Sequence, residues 1–210
     1  YIPWGPDNLF PNRLIHLVAQ NNINMGIINS KVNAMAGKRL VLYRERIEDN
    51  KIIREFVRNA EIEDWLEANN YRQFLSRIST DMCYFGNYFY DLIRNRSRSK
   101  IISINHIDST TARFGKIQED GKPDDVLISD WEVNPFAMRK DLIKSIPIYN
   151  PASPLSLRKG IRHISRYFPG AQFYGIPDWI GAEKWISLAN KIPEWHLSGI
   201  ENGYSLRYHV

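Results

Sequence analysis

The stretch that decides the fold runs from Tyr71 to Arg94, YRQFLSRISTDMCYF-G-NYFYDLIR. Its first half places Phe74, Leu75, Ile78 and Met82 on one side of a 3.6-residue period, which predicts a helix over 71–85. After Gly86 the pattern becomes aromatic and alternating, which predicts a strand over 87–94. Upstream the helical period dominates. Asp7 or Asn8 can cap, Pro11 suits a first turn, and Leu14, Leu17, Val18, Ile23, Ile27, Ile28, Val32 and Met35 recur to Gly37. Asn21-Asn22 interrupts this stripe only briefly, so one helix is expected over 12–37. Leu40–Tyr43 predicts a short strand. Ile52, Ile53, Phe56 and Val57 then share a helical face, and Ile62, Trp65 and Leu66 predict another helical turn.

Downstream the chain reads as a meander. Asn95–Ser99 is a polar turn, and 100–107, 110–116 and 125–131 predict strands, with a turn at Gly121–Asp124. In the first of these strands Ile102, Ile104 and His106 alternate with Ile101, Ser103 and Asn105. The Pro-rich stretch 134–159 reads as irregular, 161–168 as a strand, and about 177–192 as a last helix. Pro193 follows, and a final strand is expected over 205–210. Helices first, a meander next and one helix last give an α+β fold.

The chain of 210 residues carries 28 basic and 23 acidic side chains, a net charge of +5. That balance is compatible with a polyanionic partner but does not select one. Hydrophobic residues at 43% and charged residues at 24% exclude a disordered or low-complexity chain. The apolar runs are too short to span a membrane, so no membrane partner is expected. The start, YIPWGP, carries no basic region and no apolar core of a signal peptide. Cys83 is the single cysteine. It excludes an internal disulfide, and its aromatic neighbours fit a buried inert thiol. Six Trp, eleven Tyr and nine Phe favour an assembly protein over a free monomer.

Chemistry finds little support. There is no nucleophile elbow and no phosphate loop. His16, His106, His163, His196 and His209 lack ligand spacing, so no metal and no cofactor are expected. His106 and Asp108 would share a strand face and form a surface hydrogen bond. The carboxylates at Glu61, Glu63 and Asp64, and at Glu119, Asp120, Asp124 and Asp125, lie in polar turn-like sequence. They read as solvated faces, with a hydrolase built on Glu61 and Asp64 as the weakest alternative.

Two features point toward binding. Arg94, Arg96, Arg98 and Lys100 surround a predicted hairpin turn, close in sequence to Tyr88 and Tyr90. Cations interleaved with stacking aromatics suit a stand-alone nucleic-acid-binding domain. A second basic run is Arg158, Lys159 and Arg162. On the last helix, Trp179, Ala182, Trp185, Ile186, Leu188, Ala189 and Ile192 fill about half the circumference. Glu183, Lys184, Ser187, Asn190 and Lys191 fill much of the rest. Such a helix can contact neighbours on two sides.

Four blocks in order carry a resemblance. A helix precedes the strand KRLVLY. A second helix runs into Phe85-Gly86-Asn87-Tyr88-Phe89-Tyr90. Ile104–Asp108 is followed by Thr111-Ala112-Arg113. Ile161–Ile164 leads to Phe168-Pro169-Gly170, Tyr174–Pro177 and, after the last helix, Asn202-Gly203. The sequence resembles portal proteins of long-tailed bacteriophages and related prophages. The resemblance implies a wing over 1–175, a first stem helix over 176–203 and the start of a clip over 204–210. The rest of the clip, the returning stem helix and the crown would be absent. It implies a homo-oligomeric ring, usually of twelve copies, at one capsid vertex of the virion, assembled in the host cytoplasm. Double-stranded DNA would pass through without sequence recognition. Terminase, capsid and tail or connector proteins would dock, and the ring would do no covalent chemistry. Lys184 and Lys191 would then face the channel, and Trp179, Trp185, Ile186, Leu188 and Ile192 would pack against neighbouring copies.

Overall fold

A computed structural model describes residues 1–37, 40–48, 50–134, 136, 139–150 and 157–202. The strand expected over 205–210 and the clip segment lie outside the described residues. The architecture is α+β. Helices α1 (Phe10–Ala19) and α2 (Asn22–Ala36) come first, then strands β1 (Tyr43–Glu48) and β2 (Lys51–Phe56). Helices α3 (Ala60–Ala68) and α4 (Tyr71–Phe85) lead into β3 (Asn87–Arg94) and β4 (Ile101–Ile107). Strands β5 (Ala112–Phe114), β6 (Asp125–Ile128), β7 (Lys144–Pro147) and β8 (Lys159–Ser165) precede the C-terminal helix α5 (Glu183–Glu201).

Among the described residues three antiparallel sheets form: the hairpin β1-β2, the sheet β4-β3-β8, and the sheet β5-β6-β7. A parallel bridge, Ile148 to Ile161, joins the last two. The main core fills the space among α1, the end of α4 and these two sheets, with Trp4, Leu14, Phe85, Phe89, Phe114, Val126, Ile146 and Ile161 inside. A second cluster, Val18, Ile28, Val32 and Cys83, lies between the N-terminal helices and α4. Trp179 packs against both clusters. Cys83 is buried as a free thiol, and desolvation pushes its pKa up.

Four expectations are corrected. The helix expected over 12–37 is two helices: the Asn21 carboxamide oxygen accepts the Asn24 N–H at 2.9 Å and starts α2 afresh. Leu40–Leu42 belongs to no strand: the Leu42 carbonyl accepts the Val57 N–H at 3.0 Å, and the ladder with β2 starts at Tyr43. Ile52, Ile53 and Phe56 lie on a strand instead of a helix, because Asn50 takes a left-handed φ of 61° and reverses the chain onto β1. The irregular middle contains β7, whose Ile146 enters the core opposite Val126.

Candidate functional site

The residues GN at 86–87 build the junction between the central sheet and the approach to α5. Asn87 is fully buried. Its carboxamide nitrogen donates to the Phe85 and Gly175 carbonyls, both at 2.9 Å. Its oxygen accepts the Gly175 N–H at 2.7 Å and faces His163 Nε2 at 2.8 Å. The two strands of backbone cross so closely that a Cβ on Gly86 would meet the Ile176 carbonyl oxygen at 2.5 Å. A Cβ on Gly175 would meet the Gly86 oxygen at 2.3 Å, so neither position admits a side chain. His163, packed on Phe89 and Phe114, is held neutral, with burial pushing its pKa down to about 4.

Beyond the crossing, Asp178 accepts from Lys31 on α2 and from Arg166 at 2.9 Å. The net effect of these cations is to hold its pKa low, although desolvation opposes them. Trp179 Nε1 donates to the Cys83 carbonyl at 2.9 Å. Trp179 therefore faces the chain's own core and leaves the set of side chains open to a neighbour.

Helix α5 begins later than expected, after a 3-10 turn at Ile180–Ala182, and continues through Pro193 to Glu201. Pro193 removes the N–H that would reach the Ala189 carbonyl, and its ring crowds that carbonyl, so this turn is the weak point of α5. At 100° per residue the helix has three sides. The first faces its own chain. Ile186 is buried, and Asn190 donates to the Leu17 carbonyl and accepts from Asn21, both at 3.0 Å. Asn190, expected among the polar outward residues, is thus the clamp that docks α5 on the α1–α2 corner. The second side is polar and carries Lys184, Ser187, Lys191, Glu194 and Ser198, with both lysines exposed. The third side spans about 120° and carries Trp185, Leu188, Ala189, Ile192 and Trp195. Trp185 is 73% exposed, Trp195 69%, and Leu188 and Ile192 more than half. Leu197 and Ile200 fall on the Ile186 side, yet both are exposed. The last part of the helix therefore runs past the body.

The basic turn does not present the four cations expected of it. Arg94 is buried on β3, donating to the Arg98 carbonyl and the Tyr149 hydroxyl at 2.9 Å each, with its guanidinium over the Tyr149 ring. Arg94 closes the turn from inside. Lys100 pairs with Glu61 at 2.8 Å. Arg96 and Arg98 are exposed. Tyr88 and Tyr90 stack on each other 6.0 Å apart and are partly buried.

Two further polar clusters lie in the interior. His106 does not meet Asp108; its Nε2 lies 2.9 Å from Asp81 on α4. The same Asp81 oxygen accepts from the Ser109 hydroxyl at 2.6 Å. Serine and histidine thus converge on one carboxylate oxygen, which leaves no serine–histidine bond for a nucleophile. Burial pushes Asp81 up despite these partners. Arg113 is fully buried between the rings of Trp4 and Trp131 and binds the side chain and carbonyl of Asn8 at 2.6 and 2.7 Å. Desolvation lowers its pKa to about 10. Among the described residues no group of three or more His, Cys, Asp or Glu side chains could hold a metal ion. No described helix is long and apolar enough to cross a membrane.

The chain superposes on a chain from the virion of a native gene transfer agent (GTA) particle with a TM-score of 0.67 and 15% identity. It superposes on one from the neck of an empty GTA particle computed with C6 symmetry, with a TM-score of 0.67 and 14% identity. A chain from the neck of a native GTA particle computed with C12 symmetry gives 0.65 and 15%. These matches cover 98–99% of this chain and 48–49% of the others, so the chain spans about half their length. The fold of this chain is thus that of GTA virion and neck chains. No protein-family profile matches the chain, and no curated protein does.

Proposed function

We propose that the chain is the wing and first stem helix of a portal-type subunit, one copy in a ring at the head–tail vertex of a phage-like particle. The observation that carries this reading is the apolar side of α5. Trp185, Leu188, Ile192 and Trp195 stand in water opposite the side docked by Ile186 and Asn190. Large contiguous apolar surface of this kind marks a protein interface. Fold likeness to neck chains reconstructed with C6 and C12 symmetry supports the same conclusion. The ring, of twelve copies in this reading, uses residues 1–175 as wing and 176–203 as stem, with 204–210 opening a clip.

In such a ring the apolar side of α5 packs beside the neighbouring copy, and the side bearing Lys184 and Lys191 turns toward the channel. Glu194 shares that side, so the surface is mixed in charge. Mixed charge suits DNA that must pass: tight phosphate pairing would stall it, and few weak backbone contacts carry no sequence preference. The ring guides double-stranded DNA and docks terminase, capsid and tail or connector proteins without covalent chemistry. The subunit contact is heterologous and closes only if the rotation per copy divides a circle. Electron microscopy and native mass measurement of the full-length protein test this. Closed rings are expected; a monomer that persists at high concentration overturns the reading.

A further inference from the structure

The hairpin β1-β2 projects with nearly every residue exposed and its charges matched within it. The edge of the central sheet is arranged differently. Strand β4 is an outer strand of β4-β3-β8, so alternate residues turn their backbone groups away from β3. Its first half is covered. Trp65 Nε1 on α3 donates to the Ile101 carbonyl at 2.9 Å. The Asn69 carboxamide donates to the Ile102 carbonyl at 3.3 Å and accepts the Ile104 N–H at 2.9 Å. Asn69 thereby pairs with β4 as one residue of an added parallel strand would. Two residues on, the same pattern recurs as the Ile104 carbonyl and the His106 N–H, and no described group meets either. They open into a pocket of about 240 Å³ lined by Phe74 and Arg77 of α4 and by Ile104, Asn105 and His106. Arg77 is exposed and pairs with no carboxylate among the described residues, and no described carboxylate lines the pocket. The carboxylates around the strand are already engaged: Asp91 by Asn105 and Lys159, Asp81 by His106 and Ser109, and Asp108 by Thr110.

We propose that this half-covered edge binds an extended, carboxylate-bearing peptide segment of a partner protein, which adds a short strand to β4 at Ile104–His106. A simple oxyanion fits less well, because the Ile104 carbonyl needs a donor that phosphate at its ionised oxygens does not supply. A peptide supplies both groups. One residue's N–H donates to the Ile104 carbonyl, and the same residue's carbonyl accepts the His106 N–H. In strand addition such main-chain bonds give affinity and side chains give specificity. Phe74 and Ile104 offer apolar contact to a side chain of the segment, and Arg77 offers its carboxylate a charge-assisted bond. That carboxylate belongs to an acidic side chain or to the segment's own C-terminus. Proteins cover their open sheet edges; here α3 and Asn69 stop short of the last part of β4. The inference concerns a single copy and stands apart from the ring reading.

The test uses the full-length protein and a random peptide library with free C-termini. Enriched peptides are synthesised and titrated by fluorescence anisotropy. Arg77→Gln changes an exposed side chain, so it is expected to leave Tm unchanged and to weaken binding about tenfold or more. Amidating the C-terminus and replacing the acidic side chain by its amide are separate arms, and the one that weakens binding identifies the carboxylate. An N-methyl scan is expected to find one peptide amide whose methylation weakens binding by a similar factor. Hydrogen exchange over 104–107 is expected to slow when peptide binds. A library that yields no binder overturns the inference, as do binders indifferent to Arg77→Gln or to N-methylation. Displacement of the peptide by an equal concentration of inorganic phosphate also overturns it, by making the pocket a plain oxyanion site. None of these results bears on the rings, and absence of rings leaves this edge as it is.

Discussion

At the scale of single residues, the crossing at Gly86 and Gly175 carries the sharpest expectations. Gly86→Ala forces a side chain into a left-handed φ of 70° and against the Ile176 carbonyl. A loss of about 3 kcal/mol or more is expected in chemical denaturation. His163 makes stability depend on pH. Its folded pKa of about 4 lies below the ordinary 6.5, so the fold holds the neutral ring. The contribution is complete above pH 6.5 and is lost as pH falls through 4, up to about 3 kcal/mol. His163→Gln is expected to flatten the stability profile between those pH values. Asp81, raised by burial, acts in the opposite sense, favouring the neutral carboxyl and losing stability as pH rises. The comparison with the variant isolates His163. The glycine and asparagine were legible as a helix-to-strand boundary, but their partner at 175 was not. A hydrogen bond spanning 88 positions leaves no local periodicity. Arg113 was equally hidden, since a buried arginine without a carboxylate looks in sequence like any surface cation.

At the scale of elements, α4 and β3 were legible because their periods are strong and Gly86 separates them. Strand β2, expected as a helical face, shows the limit of that signal. Ile52 and Phe56 fit both periods while Ile53 takes the other face of the strand, and the outcome turned on Asn50 and on pairing with β1. The last helix was recognised from its apolar residues, but they divide between two destinations. Trp179 and Ile186 serve the core, whereas Trp185, Leu188, Ile192 and Trp195 do not. Burial depends on where α1 and α2 end, which the α5 sequence does not contain. Asn190 is the element's clamp. Asn190→Ala removes both hydrogen bonds to the α1–α2 corner, at an expected cost of about 1–2 kcal/mol. Hydrogen exchange along 183–192 is expected to quicken while the central sheet stays protected.

At the scale of the whole molecule, the decisive asymmetry is a well-filled core beside a helix left half bare. Trp185→Ser with Ile192→Ser is expected to leave the monomer within about 0.5 kcal/mol of its stability, because both side chains stand in solvent. Native mass spectrometry is expected to show the rings gone. The α+β architecture and the ordered blocks were visible in the sequence, and so was the two-sided character of the last helix. The hairpin's projection was not, because exposure of an amphipathic strand is a property of what fails to cover it. The interlocked glycines at 86 and 175 bear on how such a body handles load. A pull or twist on the last helix reaches that rivet through residues 176–182 and enters the middle strand of β4-β3-β8 there. Strain generated at one end of the lever is thus delivered to a strand that shares it across two ladders.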